Sequence, residues 1–560
     1  MIKKLFNKLS NTKYAIILLI VITAFAYANS LKHDFVWDDY SVIVDNNFVK
    51  SWNNFPAIFS KSYLTSLEEL RSGSLTGSGE TTYRPVVTTS YFIDYWFWGL
   101  KPFGYHFFNL LLHITNVILL YACVRLLLTN RYIAVLAALL FAIHPVNTEV
   151  VNVISFREDL WAFLFLISAF IFYIKRSLAG AKKDGWCLIL STALFLLALF
   201  SKETALVFPG IIILYDYFFV FKQKWRELFV SALSRYLGYG LAVIFYLAVW
   251  ISLKGPGGVF SGEYPYPGGS LYTNLLTMSK VIATYIFWLI LPINIHAILP
   301  ENNPAFTLYS IFKPEAFFSL ILIIFLLTIA FFIGKRRKEI SFFIFWFFIF
   351  LLPTSNIIPI SCVIASRYLY IPMVGFCVGL AVTLFKIYNL KSQFFSARLL
   401  KKFARNTAII ILTFYFIFTA IGNLAWKNNI VVWQELVESS PENPQAHINL
   451  GSQFSRIKLF DLAINEYQIA LRLNPNLPQA YNHWGMALGA QARYSEAANC
   501  FKKAIQIDKK YVCAYNNLAV NYVYINKLSE ARIIWMKILE FDPEYKEAKR
   551  NLEKLKQLNK

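Results

Sequence analysis

Repeated apolar runs of about twenty residues constrain the fold of this chain more than any other feature of its sequence. The first run is Tyr14 to Ala28, and the last ends near Leu424. A run of about twenty residues is long enough to cross roughly 30 Å of hydrocarbon as a helix. Of the 560 residues, 57% are hydrophobic and only 15% are charged, well below the roughly 25% of soluble domains. The sequence therefore predicts an all-α, polytopic membrane protein.

The positive charge of the chain is distributed as in a membrane protein. The formal net charge is +22, and the cations cluster in short segments between apolar runs. Short basic loops are typical of the cytoplasmic side of a membrane. We therefore place the N-terminus in the cytoplasm and residues 31–105 in a large external loop. Nucleic acid is not an expected partner.

One apolar segment does not fit a topology in which successive spans alternate between the two sides of the membrane. If 275–291 crossed the membrane completely, the basic stretches 335–339 and 386–405 would both lie outside, against the usual bias. We therefore predict that 272–300 is an interfacial or re-entrant segment with an interrupted helix. About eleven spans remain, and the chain after Leu424 is extracytoplasmic. The expected location is the cell (inner or plasma) membrane, or the endoplasmic reticulum membrane if the chain is eukaryotic.

The C-terminal part repeats with a period of 34 residues. The three copies are residues 444–477, 478–511 and 512–545. Small residues recur where paired helices approach each other and large ones where they fill the space between, as in tetratricopeptide repeats (TPRs). Residues 546–560 are polar enough to form a capping helix. The sequence thus predicts a membrane domain, 1–430, followed by a TPR α-solenoid, 440–560.

Charged residues abut apolar segments on the predicted outer face. Two adjacent carboxylates, Asp38 and Asp39, follow the first span. Further candidates come from four later segments: Arg84, His144, Glu149, Arg157, Lys202, Glu203 and Arg367. Charged groups beside hydrocarbon are costly and usually mark function. For any single residue the competing interpretation is structural, such as pairing between Arg157 and its neighbours Glu158 and Asp159.

This set of charges suits an enzyme that uses a lipid-phosphate sugar donor. The phosphate is a good leaving group that cations must hold, and the acceptor hydroxyl needs a carboxylate base. We predict that Asp38 or Asp39 is the catalytic base, while the other orients it, binds the acceptor or holds a metal. The remaining candidates bind the donor phosphate or the substrate. We assign no cofactor, and Mg²⁺ or Mn²⁺ at the two acids stays an open alternative.

Five segments occur in a fixed order before the repeats. They are HDFVWDDYSVIVDN, YRPVVTTSYFIDYWFWGLKPFGYHFFNLLLH, FAIHPVNTEVVNVISFREDL, SKETALVFPGIIILYD and ASRYLYIPMVGF. Together with the repeats, this order resembles the transmembrane and TPR-containing O-mannosyltransferases (TMTC proteins) in a prokaryotic short form.

The TMTC resemblance implies a GT-C glycosyltransferase fold. It also implies transfer of a sugar, with inversion, from a polyprenyl- or dolichyl-phosphate donor to a hydroxyl of protein Ser or Thr on the extracytoplasmic face. Asp38 and Asp39 match the paired acids of the family's first external loop. Ser366 stands where the family often has an acid, and the neighbours of Arg157 also differ. Mannose is therefore not carried over as the donor sugar.

The sixth position of each repeat carries a polar side chain: Asn449, His483 and Asn517. Carboxamides there can hydrogen-bond an extended peptide backbone, although asparagine at this position also serves helix packing. We predict a polypeptide acceptor or partner protein in the TPR groove, beside the lipid-linked sugar donor and membrane lipid.

Other functions compete with this prediction. The acceptor could be a glycan or a lipid, since repeat arrays also recruit partner enzymes. A transporter would show polar residues within spans and duplicated halves, whereas most spans here are apolar and no duplication is visible before the repeats. A membrane-anchored TPR scaffold for envelope or glycan assembly would leave the outer charges unexplained.

Overall fold

The computed structural model describes residues 11–60, 63–64, 82–179, 185–254, 265–295, 306–360, 362–391 and 393–558. Parts of three predicted features lie outside these residues: the basic N-terminal segment, the large external loop 31–105, and the end of the segment 272–300. The chain divides into two compact units, residues 1–427 and 428–560.

The first unit is built from helices. In chain order they are α1 (Thr12–Ala26), α2 (Pro85–Trp98), α3 (Pro102–Leu128), α4 (Arg131–Ala142), α5 (Thr148–Asn152), α6 (Arg157–Ala179), α7 (Gly185–Leu199), α8 (Phe208–Tyr215), α9 (Trp225–Val230), α10 (Ala232–Lys254), α11 (Leu271–Ile290), α12 (Pro314–Ile333), α13 (Lys338–Leu351), α14 (Met373–Tyr388) and α15 (Ala397–Gly422). Proline stands at the first position of α2, α3 and α12, where its missing N–H costs no hydrogen bond. The described residues contain no β-strand, so the predicted all-α membrane class is confirmed.

By length and composition alone, fewer helices qualify as membrane spans than the sequence analysis predicted. Among the described residues, seven helices are long and apolar enough to cross a membrane, or eight if α4 and 145–152, bent by 50°, form one span. The predicted number of about eleven included α1, α7 and α14, whose apolar helices are shorter. Helix α1 ends early because the chain continues as a 3₁₀ turn, Ala28–Lys32.

Helix α11 is continuous, whereas an interrupted helix was predicted for this segment. Near its start, Asn274 and Asn356 exchange hydrogen bonds of 2.7 and 3.0 Å. Near its end, the carbonyl of Leu289 accepts from Tyr415 and contacts His144. Helix α11 is also one of the seven helices that are long and apolar enough to cross a membrane, so its interfacial placement stays a prediction.

The loop 31–105, predicted to be external, shares a hydrophobic cluster with Ile154 and with side chains of α6 and α10. A π-helical turn (Tyr40–Val44) and a 3₁₀ segment (Trp52–Phe59) lie before α2. Buried aromatic and aliphatic side chains, including Phe35, Ile43 and Tyr91, form one cluster with this helix. The cluster gives the loop bearing Asp38 and Asp39 a fixed conformation.

The second unit consists of helix pairs. Its helices are α16 (Asn429–Ser439), α17 (Pro444–Arg456), α18 (Phe460–Leu473), α19 (Pro478–Ala490), α20 (Tyr494–Ile507), α21 (Val512–Tyr524), α22 (Leu528–Phe541) and α23 (Lys546–Leu558). Glycine recurs where two helices of a pair approach most closely. A Cβ at Gly451 would lie 2.6 Å from the Tyr467 ring, and one at Gly485 would lie 2.6 Å from the Phe501 ring. The predicted TPR α-solenoid is confirmed.

Candidate active site

The two adjacent acids of the first external loop have opposite surroundings. Asp39 is completely buried. One carboxylate oxygen accepts from the backbone N–H of Val36 at 3.0 Å, and the other accepts from Ser155 N–H at 2.7 Å. Burial raises the pKa of Asp39 to about 7, and these hydrogen bonds act in the opposite direction. Asp39 therefore ties the loop to the turn before α6.

Asp38 keeps its carboxylate open to solvent. Its backbone carbonyl accepts from Val42 N–H and Ser41 Oγ at 3.1 and 2.9 Å, which leaves the side chain available. Desolvation by the surrounding protein raises the pKa of the Asp38 carboxyl to about 6, while Arg367 lowers it and Glu158 raises it. Asp38 is thus the accessible acid of the pair, close enough to Arg367 and Glu158 to feel their charges.

A network of paired charges lies at the starts of α2 and α6 and just after the end of α7. The Arg84 guanidinium contacts Glu158 at 3.1 Å and Glu203 at 2.9 Å. Lys202 Nζ donates to Asp159 at 2.6 Å and lies 3.5 Å from Glu158. Lys202 and Asp159 also line a small cavity with Thr204, Phe350 and Tyr368. The structure therefore brings together the predicted residues Arg84, Lys202 and Glu203.

Arg367 is held by Glu149 beside this network. One oxygen of Glu149 accepts from the Arg367 guanidinium, and the other accepts from Arg367 N–H and Ser366 Oγ at 2.8 and 2.6 Å. The guanidinium carbon also lies 4.2 Å from the centre of the Phe156 ring. A guanidinium has five N–H donors, so Arg367 can bind Glu149 and an anionic group together. Ser366 suits this site because an acid there would repel Glu149.

Arg157 lies apart from the charged network, although the sequence predicted it as a phosphate ligand. Its side chain is completely buried. It pairs with Asp94 and also donates to Asn109 at 2.6 Å and to the carbonyl of Tyr105 at 3.1 Å. These contacts favour the structural interpretation of Arg157. A guanidinium buried among fixed acceptors has no open side for a donor phosphate.

His144 is also buried, and its described hydrogen bonds are to backbone groups. Its Nε2 lies 3.1 Å from the carbonyl of Leu289, and its Nδ1 accepts from Val146 N–H at 3.3 Å. Because Nδ1 acts as the acceptor, Nε2 carries the proton and donates. His144 therefore stabilises the bend after α4 and its contact with α11, and this geometry gives no role in substrate binding.

The sixth-position residues of the repeats lie on the first helices of the three pairs. Asn449 accepts from Gln445 at 3.1 Å, and Asn517 donates to Asn482 at 2.9 Å. The His483 ring stacks on Tyr467 with a centroid distance of 6.0 Å. Each side chain is half-buried and retains polar atoms that a peptide backbone could use.

The sequence interpretation missed two residues that belong to these sites. Asp94 was detectable as the lone acid of an aromatic helix, since an isolated carboxylate there needs a partner. Asn551 was detectable by adding one more repeat period to Asn517. It lies on α23, with its side chain 3.4 Å from Asn516, and extends the sixth-position series into the capping helix.

No prebuilt metal centre accompanies the charged network. Within the described part of the chain, no group of three His, Cys, Asp or Glu side chains is arranged to hold a metal ion. Asp38 and Asp39 do not converge on one point, because Asp39 is fully engaged by backbone N–H groups.

Known proteins resemble this chain in both units. A family model described as tetratricopeptide repeat matches residues 478–511. The protein O-mannosyl-transferase TMTC3 of Mus musculus is 26% identical over 82% of this chain and 51% of its own length. The protein O-mannosyl-transferase TMTC1 of Homo sapiens is 24% identical over 80% of this chain and 54% of its own length. The chain thus spans about half the length of these curated relatives, and the predicted resemblance to TMTC proteins is confirmed.

A solved structure also resembles this chain over most of its length. The crystal structure of the Archaeoglobus fulgidus oligosaccharyltransferase is 13% identical and covers 89% of this chain and 72% of its own, with a TM-score of 0.43. That score is too low to establish a common fold.

Proposed function

We propose that this chain is a membrane glycosyltransferase of the GT-C type. It transfers a sugar from a polyprenyl- or dolichyl-phosphate donor to a hydroxyl of a polypeptide on the extracytoplasmic face. The observation that carries this proposal is the exposed residue Asp38, whose pKa the charge of Arg367 lowers, together with the pairing of the Arg367 guanidinium with one described carboxylate, Glu149. The similarity to proteins named protein O-mannosyl-transferases supports the reaction class.

The chemistry requires a base and an anion-binding group on opposite sides of the sugar. Asp38 accepts the proton of the acceptor hydroxyl as its oxygen attacks the anomeric carbon. The bond from this carbon to the phosphate oxygen breaks with inversion. Arg367 and Lys202 stabilise the charge that develops on the departing lipid phosphate.

The charge balance of the site affects how the donor binds. Three cations, Arg84, Lys202 and Arg367, face four carboxylates, Glu149, Glu158, Asp159 and Glu203. A donor phosphate entering this network must therefore share cations that are already paired. We keep Mg²⁺ or Mn²⁺ as a proposal because this surplus of carboxylates would accommodate a divalent cation that arrives with the phosphate.

Replacing Arg367 by glutamine tests the phosphate-binding part of the proposal. We expect the KM for the lipid-linked donor to rise about 10- to 100-fold, since a hydrogen bond to a charged group contributes roughly 1.5–3 kcal/mol. The KM for the acceptor should stay nearly constant. The measurement is transfer from a labelled polyprenyl-phosphate hexose by the purified chain in nanodiscs. Lys224→Gln, which alters an exposed pair with Glu227, is the control, and an unchanged donor KM in R367Q contradicts the assignment.

The pH dependence of transfer follows from the ionisation of Asp38. A base must be deprotonated, and the pKa of Asp38 is raised to about 6. The kcat/KM of the chain should therefore increase with pH and reach half its plateau near pH 6. An ordinary exposed aspartate would place this midpoint near pH 4. A profile that is flat between pH 5 and 7 would exclude Asp38 as the base.

The inner surface of the repeats suggests the chemistry of the acceptor. The first helices of the pairs, α17, α19 and α21, contact one another successively and so line the groove. Helices α19 and α21 contain no Asp, Glu, Lys or Arg. A charged side chain buried against an uncharged surface loses hydration without gaining a partner. We propose that the groove accepts extended, uncharged segments rich in Ser, Thr and Asn.

Adding a charge to the groove tests this selectivity. Met486 on α19 is 49% exposed, and Leu462 on the outer helix α18 is exposed to the same extent. We expect Met486→Asp to weaken binding of a labelled Ser/Thr/Gly peptide about tenfold and to improve binding of the same peptide carrying one Lys, because a tenfold change needs only roughly 1.4 kcal/mol. Fluorescence anisotropy with the full chain measures both effects. Leu462→Asp should change neither, and equal effects of the two variants would refute a role for the inner surface.

A further inference from the structure

The residue before the candidate base has a strained backbone. Trp37 has a φ of 54°, in the left-handed region where Cβ crowds the backbone and where a bulky residue is an outlier. Such conformations persist only where surrounding contacts enforce them, and they concentrate at functional sites. A glycine would adopt this conformation without strain, so the presence of tryptophan calls for a compensating contact of the ring.

The Trp37 ring lies in a row of aromatic groups. It stacks on Trp426 with a centroid distance of 6.3 Å and an interplanar angle of 29°. It also meets Phe156 edge-on at 6.4 Å. Phe156 in turn carries the guanidinium of Arg367 on its face. One continuous row therefore joins the residue beside Asp38 to the proposed phosphate-binding cation.

The backbone of the loop that carries Trp37 is hydrogen-bonded to the segment that carries Trp426. The N–H of Asp34 donates to the carbonyl of Lys427, which directly follows Trp426, at 3.0 Å. Beyond Trp37, the buried Asp39 anchors the loop to Val36 and Ser155. The turn at Trp37 thus lies between two fixed points, and its conformation determines the direction in which the intervening Asp38 points.

We propose that Trp37 is a positioning residue for the base. Its ring, packed against Trp426 and Phe156, holds the left-handed turn that leaves Asp38 exposed while Asp39 is buried. This inference rests on the proposed glycosyl transfer and adds to it the group that sets the geometry of the base.

Three substitutions of Trp37 separate the effect of the aromatic ring from the effect of the left-handed backbone turn. Trp37→Phe keeps a stacking ring, Trp37→Gly removes the ring but permits the left-handed turn, and Trp37→Ala removes the ring and disfavours the turn. We expect kcat to follow the order Phe, Gly, Ala, with Ala about 100-fold below the wild type, as for a displaced catalytic group. The donor KM should change little. In the Ala variant the acid limb of the pH profile should move to lower pH, because Asp38 is no longer held against the protein groups that raise its pKa.

The control is Trp96→Ala, which removes a tryptophan of the same external loop that is 67% exposed and should leave kcat unchanged. Hydrogen exchange of the loop in the full chain adds a readout that does not require activity, and it should accelerate around Asp38 in Trp37→Ala but not in Trp37→Phe.

If the wild type transfers sugar and Trp37→Ala transfers equally fast, the positioning role is wrong. If Trp37→Phe is as slow as Trp37→Ala, stacking is not what holds the turn. Absence of transfer by the wild type would instead count against the proposed function itself.

Discussion

Asp38→Asn is expected to lower the rate of sugar transfer by about three orders of magnitude, within the range that a general base contributes. The variant should fold normally, since the Asp38 side chain is open to solvent and its contribution to the fold comes from its backbone carbonyl. Asparagine keeps the size of the side chain but cannot accept a proton. Donor binding, measured with a non-transferable analogue, should stay close to that of the wild type.

The neighbouring substitution, Asp39→Asn, provides the contrast. Asp39 uses both oxygens to accept backbone N–H groups, whereas asparagine would point an NH₂ group at one of them. An unsatisfied buried donor costs about 1–3 kcal/mol. We therefore expect Asp39→Asn to lower the thermal stability as well as the rate. If Asp38→Asn transfers normally and Asp39→Asn is inactive but stable, the two roles must be exchanged.

The second large effect is expected on stability rather than on catalysis. Arg157→Leu leaves the carboxylate of Asp94 buried without its cation, and breaking a buried ion pair in this way costs about 3–5 kcal/mol. Thermal unfolding in detergent should show the loss as a marked fall of the midpoint. The double variant D94L/R157L should recover part of the stability, since it removes both charges. Replacing the exposed Lys224 by leucine should cost at most about 1 kcal/mol.

The same experiment decides between the two interpretations of Arg157. If Arg157→Leu unfolds at the wild-type temperature yet no longer binds the donor, Arg157 is a phosphate ligand, as the sequence alone predicted. If stability falls and Asp94→Leu restores it, the residue is structural. The geometry supports the second result, because every described contact of Arg157 lies in the protein interior.

The sequence predicted the repeats well because their signal is local and periodic. Each helix of a TPR pair contacts its immediate neighbours in the chain, so that small and large residues at fixed offsets suffice to predict the pairing. Gly451 and Gly485 face the rings of Tyr467 and Phe501, as such a pattern implies. The helix α16 was missed because it precedes the first repeat and does not share its period.

The candidate site was less predictable because its contacts join distant parts of the chain. Glu149 and Arg367 were both selected for lying on one face, but nothing local shows that they bind each other. Arg157 adjoins Glu158 in sequence, yet successive helical residues point in different directions. The two therefore separate, Arg157 toward Asp94 and Glu158 toward Arg84. The adjacency of Asp38 and Asp39 likewise concealed their opposite environments.

A scaffold, a transferase that acts on a glycan or lipid, and a transferase that acts on a polypeptide would each require a different set of these residues. A scaffold would need the TPR groove but not an accessible Asp38, and substitutions at Asp38 and Arg367 would then leave its activity unchanged. Transfer to a glycan or lipid would need Asp38 but not the uncharged inner surface of α19 and α21. Comparing Asp38→Asn with Met486→Asp therefore separates these alternatives from transfer to a polypeptide.

The central claim is tested most directly by mass spectrometry of the reaction products. The purified chain in nanodiscs is incubated with a panel of polyprenyl-phosphate sugars and a Ser/Thr-rich polypeptide, with Asp38→Asn in parallel. The expected result is an added sugar on Ser or Thr with one of the donors, and at most a trace of this product with Asp38→Asn. NMR of the isolated glycopeptide should show an anomeric configuration inverted relative to that donor. No product from any donor, while the polypeptide still binds the chain, would contradict the account and favour a membrane-anchored scaffold.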